Sequence, residues 1–160
     1  MNHARMCQQL ILHEGISLQV YQDTLGNATA GVGYNVQSRG WDFWDQIAGD
    51  HSTITELAAL QVLSADISRV EQATTVHWPI YLQLDDVRQR VALDLAFNIG
   101  LGALAFKKTI AAVERRDWST AVRELYKSRW AYQVDDGPGG KYGRADRLGQ
   151  MLLTGRDYDH

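Results

Sequence analysis

Apolar residues recur at helical spacing along most of this chain and alternate over only one short stretch. Met6 and Leu10, with Cys7 and Ile11 beside them, give the first segment an inward face, and Asn2 or His3 is placed to cap it. Gly15 follows Glu14 directly. A glycine there ends a helix in the left-handed region at little steric cost, which puts Glu14 in the last turn. Leu18, Val20 and Tyr21 alternate partially, as in a strand. Residues 23–27 have turn chemistry, and residues 29–34 read as a return strand crowded with small residues. Thr55 starts a long helix, with Ile54 before it, Glu56 in its first turn, and Leu57, Leu60, Leu63 or Ser64, Ile67 and Val70 on one face to about Ala73. Trp78-Pro79 closes it. Leu84-Asp85 opens a second strong helix whose inner side is Val87, Val91, Leu95 and Phe97, widened by Ala92 and Leu93 and stopped at Asn98-Ile99-Gly100. A shorter helix follows from Ala103 to about Arg115. Asp117 caps another from Trp118 to about Tyr132, and Arg144 opens the last, with Leu148, Met151 and Leu152 inward and Thr154-Gly155 at its end. Between these last two, residues 135–143 (DDGPGGKYG) form the most loop-like run of the chain.

Composition narrows the function classes. One hundred and sixty residues, 45% hydrophobic and 22% charged, are enough for one domain with a sizeable core. The net charge of −3 argues against nucleic acid as main partner. Its placement is uneven: residues 1–80 carry 3 basic and 8 acidic side chains, residues 81–160 carry 13 and 11. Cys7 is the only cysteine, so no internal disulfide forms, in keeping with synthesis in a reducing compartment. The histidines at 3, 13, 51, 77 and 160 show no metal-ligand spacing, and neither a metal nor a cofactor is expected. His13 precedes Glu14 but points about 100° away on a helix, and reads as incidental. GPGGK lacks the spacing of a phosphate loop. No stretch has the length of a membrane span, and the first residues lack the apolar run of a leader.

Candidate chemistry gathers in residues 10–35, LILHEGISLQVYQDTLGNATAGVGYN. At a helix C-terminus the negative end of the dipole favours the protonated form of Glu14, the form a general acid needs. The hairpin returns Asp23 and Thr29 beside the end of the first helix. Gly31 and Gly33 would let a sugar ring approach the backbone. Trp41, Phe43 and Trp44 form an aromatic cluster that reads first as a core or loop anchor and second as a sugar-stacking surface.

Glu, eight residues, Asp, five residues, Thr, then a G-x-G strand, resembles the catalytic stretch of the T4-type phage lysozymes. The similarity runs from about residue 5 to residue 157 and is weakest in segments 36–53 and 135–143. It implies an α+β, mostly α, lysozyme-like fold with two lobes. The N-terminal lobe would span about 15–54, with a small antiparallel hairpin or sheet. The linker helix would span about 55–73, and the helical C-terminal lobe about 80–160, with the first helix packed on it. The resemblance assigns Glu14, Asp23 and Thr29 to catalysis, and Gly33, Asn35, Phe97, Asn98 and Thr109 to substrate contacts, with Phe97 and Asn98 lining a cleft. Arg144 matches an arginine that reaches the catalytic glutamate, opposing the dipole effect. Tyr34 stands where relatives often have a histidine paired with an aspartate. Asp66 matches that aspartate, so a contact between them would be neutral.

The function the resemblance implies is a peptidoglycan muramidase. It would cleave the β-1,4 bond between N-acetylmuramic acid and N-acetylglucosamine by inversion, in wall lysis or phage entry. The expected partners are glycan strands and either a phage holin or a larger virion protein, with the chain itself monomeric. It would be made in the host cytoplasm and act on periplasmic peptidoglycan. Two rival readings are a lytic transglycosylase acting on the same bond and a non-catalytic wall-binding virion module.

Overall fold

Asn2 accepts the Arg5 amide at 3.1 Å and so caps the first helix, α1 (His3–Glu14). The computed structural model describes the chain except residues 24–25, 43–53, 135–142 and 159–160. The expected behaviour of the glycine loop, and of the aromatic cluster beyond Trp41, lies outside the described residues. After α1 come β1 (Ser17–Gln22), β2 (Ala28–Gly31) and β3 (Tyr34–Asn35), antiparallel and in that spatial order. The expected single return strand is therefore two. Gly33, at φ 65°, turns the chain where an L side chain would be strained, and β3 folds back on β2. β1 is an edge strand and is exposed along nearly its whole length. A four-residue helix, α2 (Val36–Arg39), follows.

The long helix, α3 (Glu56–His77), starts where expected and runs one turn beyond Ala73. Thr55 Oγ1 accepts the Ala58 amide at 3.1 Å. Leu63 and Ile67 of the expected stripe are buried, but Leu57 is 67% exposed, and Ala58, Ala59 and Val62 complete the buried face in its place. Small alanines allow the close approach of Ala30, Tyr34 and Val36 from the sheet side, an advantage that a count of bulky residues overlooks.

The chain divides into two compact units, Asn2–Arg69 and Val70–His160, the latter with Met1. Beyond α3 the second unit contains a 3-10 turn (Pro79–Gln83), α4 (Asp86–Ile99), a second 3-10 segment (Gly100–Ala105), α5 (Lys107–Glu114), α6 (Trp118–Tyr126), α7 (Arg129–Val134) and α8 (Arg144–Thr154). Leu84, Val91, Leu95, Val113, Leu125, Trp130, Leu148 and Leu152 make its core. Two boundaries differ from expectation. The helix expected from Ala103 begins at Lys107, because the glycine-rich run before it takes the tighter 3-10 winding. The helix expected from Trp118 to Tyr132 is two helices. Ser128 Oγ donates to the Leu125 carbonyl at 2.6 Å and accepts the Ala131 amide at 3.3 Å, closing α6 and capping α7. Together these elements form the mostly helical α+β class, with its small antiparallel sheet.

Asp117 caps α6, accepting the Thr120 amide at 3.1 Å. Side-chain and backbone hydrogen bonds from Thr120, with a bond from Ser119, hold its carboxyl below the ordinary aspartate range. A depressed folded-state value means the stabilisation is complete above the unfolded value and is lost as pH falls through the folded one. Asp117→Ala is therefore expected to lower Tm by a few degrees at neutral pH. In thermal scans the gap from wild type should close as the buffer is taken below the ordinary carboxylate range, and a gap independent of pH would contradict the capping account.

Candidate active site

Glu14 sits at the last position of α1 because Gly15 can adopt φ 73°, ψ 178°, a conformation nearly restricted to glycine. The Gly15 amide donates to the Ile11 carbonyl at 2.9 Å and closes the helix. Opposite stands the turn between β2 and β3. A β-carbon built on Gly33 would stand 3.8 Å from Glu14 Oε2, so the second glycine of the G-x-G strand lies directly against the carboxylate. A larger side chain there would be both strained and turned into the space beside Glu14.

The β1–β2 turn is built around Asp23. Its amide donates to the Asn27 carbonyl at 2.9 Å, and its carbonyl accepts the Gly26 amide at 2.9 Å. The Asp23 carboxylate accepts the Asn27 amide at 2.8 Å and the Asn27 side-chain Nδ2 at 3.3 and 3.1 Å, one bond to each oxygen. Buried Thr29 donates its hydroxyl to the Asn27 carbonyl at 3.1 Å. The sheet register sets Thr29 beside Tyr21 on one side and Asn35 on the other. Asp23 and Thr29 thus share one partner, Asn27, which the sequence reading treated only as a turn residue. An Asn four residues after an Asp, on the far side of a glycine, was the available signal.

The remaining candidates of the first unit serve the scaffold. Asn35 caps α2, accepting the Ser38 amide at 2.9 Å. Tyr34 is buried and donates its hydroxyl to the Gly40 carbonyl at 3.2 Å. The neutral contact expected at Asp66 gives way to a charged one. Arg39 from α2 donates two hydrogen bonds to the Asp66 carboxylate at 2.6 and 2.5 Å. Its guanidinium lies 4.0 Å from the centre of the Tyr34 ring. The bond to Asp66 holds the Arg39 guanidinium above its ordinary range, against the opposing effect of partial burial. Arginine stays charged at every working pH, which a histidine in its place would not.

In the second unit, Phe97 is half-buried and Asn98 is exposed near the end of α4. Asn98 Oδ1 accepts the Trp130 indole at 2.8 Å, which satisfies the one polar atom of a core tryptophan. Thr109 is buried on α5. Arg144, 8% exposed, is held by Asp94, which is fully buried: Nε donates to Oδ1 at 2.9 Å and Nη2 lies 2.7 Å from the same oxygen. No periodicity argument could supply Asp94, which lies amid apolar neighbours on the inner face of α4. Among the described residues no three His, Cys, Asp or Glu side chains come together in a way that could hold a metal ion.

Residues 12–147 match the family described as phage lysozyme. Over 160 residues the chain is 26% identical to a probable T4-type lysozyme 1 of Dictyostelium discoideum, covering 89% of each chain. A probable T4-type lysozyme 2 of the same organism is 25% identical over 160 residues, again with 89% of each covered. The chain is also 26% identical over 166 residues to the pre-baseplate central spike protein Gp5 of Enterobacteria phage T4. There the match covers 94% of this chain but only 28% of the spike protein.

Proposed function

The chain belongs to the phage lysozyme family, and from that premise we propose that it hydrolyses the β-1,4 bond between N-acetylmuramic acid and N-acetylglucosamine in peptidoglycan. Membership supports a lysozyme-type glycosidase; the bond and the mechanism are our reading. The observation that carries it is the pairing of Gly33 against Glu14 with the Asp23 and Thr29 side chains that both bond to Asn27. These are the residues a two-carboxylate glycosidase needs, on a rigid helix end and a hydrogen-bonded turn.

In this reading Glu14 protonates the glycosidic oxygen as it leaves. Asp23 takes a proton from the attacking water, and Thr29 holds that water. Attack by free water on the face opposite the leaving group inverts the anomeric centre. The likeness to the central spike protein Gp5 supports delivery to periplasmic peptidoglycan as part of a virion protein, and release through a holin lesion is the alternative route. A lytic transglycosylase would need the acid but no water-binding pair, so Asp23 and Thr29 count against it.

Digestion of purified sacculi tests the proposal. The expected products carry new reducing muramic acid ends and masses increased by one water per cut. Anhydro-muramic products would establish the transglycosylase instead, and binding to sacculi without new ends would reduce the chain to a wall-binding module.

A further inference from the structure

We infer that Asn27 is a positioning residue that fixes how the catalytic water is held. The inference rests on the function proposed above and extends it to a residue that no assignment covers. Three observations carry it. The Asn27 Nδ2 group donates to both carboxylate oxygens of Asp23, at 3.3 and 3.1 Å. Its backbone amide donates to Oδ1 at 2.8 Å, so Asp23 is gripped from side chain and main chain of one residue. Its carbonyl takes the Thr29 hydroxyl proton at 3.1 Å.

The third contact sets a polarity. A hydroxyl has one hydrogen to give and two lone pairs to receive with. With that hydrogen committed to the Asn27 carbonyl, Thr29 Oγ1 meets a water only as an acceptor. An ionised Asp23 is acceptor-only as well. A water between them therefore donates one hydrogen to each and turns an oxygen lone pair outward, toward the sugar. As the new C–O bond forms, the water proton on the Asp23 side passes to Asp23. The glycosidic C–O bond breaks and its electron pair takes the proton of Glu14. Solvent then returns the two carboxyl groups to their starting states. Asn27 touches none of the reacting atoms. It acts by holding one acceptor in place and by forcing the other to be an acceptor.

Two variants separate this role from that of an ordinary turn residue. Asn27→Ala keeps the main-chain bonds and loses only the grip of Nδ2 on the carboxylate. Its kcat on sacculi is expected to fall roughly ten- to a hundred-fold with KM little changed, as for a misplaced catalytic group. Asn27→Asp is nearly isosteric but sets a second carboxylate against Asp23, and like charges favour the protonated form. The acid limb of the kcat/KM profile, which reports the base, is then expected to move up by about one pH unit. Circular dichroism checks the fold of both. An acid limb that stays in place in folded Asn27→Asp overturns the inference whatever happens to turnover. If Asn27→Ala does not fold, the profile of Asn27→Asp decides alone. A wild-type chain that releases no reducing ends from sacculi would instead sink the proposed function, so the two failures are distinguishable.

Discussion

Glu14→Gln is expected to reduce lysis at least about a hundred-fold while leaving the thermal transition where it is. The amide is nearly the size of the acid but has no proton acidic enough to give to a departing sugar. Structural cost should be small. Glu14 is only half-buried, the amide is nearly isosteric with the acid, and α1 closes through the Gly15 amide on the Ile11 carbonyl. Turbidity loss of outer-membrane-permeabilised Gram-negative cells, wild type beside variant, measures the difference. A variant that keeps more than a tenth of wild-type turnover would remove Glu14 from the acid role and leave the Asp23 turn without a partner for its chemistry.

The largest loss of stability is expected from Asp94→Ala. Asp94 is fully buried and bonds to Arg144, itself 8% exposed. Removing the carboxylate leaves a guanidinium in a place with little access to water, at a cost of about 3–5 kcal/mol. The double change Asp94→Leu with Arg144→Met should recover most of that loss, because no lone charge then remains buried. Denaturant unfolding of the three proteins provides the comparison. An Asp94→Ala variant as stable as wild type would mean that Arg144 finds water or another acceptor at once.

Much of this arrangement could be read from residue order because it rests on local rules. Asn2, Asp85 and Asp117 cap the helices expected of them, and Gly15, Gly100 and Gly155 end theirs. Each depends on neighbours within four positions. What escaped depends on distance or on a choice between two local options. Ser128 can sit inside a helix or divide it, and only the packing of Trp130 and Ala131 into the second-unit core decides for division. Arg39 lies 27 residues from Asp66, beyond the reach of any local rule. Asp94 and Arg144 are 50 residues apart, and Asp94 is the one charge in an apolar stretch. In the candidate site, spacing pointed to Glu14, Asp23 and Thr29. It did not single out Asn27, whose bonds to Asp23 and Thr29 are divided between an amide group and a carbonyl that every residue owns.

Arg39 also determines which environmental variable can reach the sheet of the first unit. Its own charge is permanent at working pH, so the variable left to act on its side of the clamp is screening by dissolved ions. Two parallel hydrogen bonds hold Asp66, itself 4% exposed, and counterions reach the pair only from the side of Arg39, whose side chain is 33% exposed beside Tyr34. Added salt is therefore expected to loosen this tie between α2 and α3 only slightly.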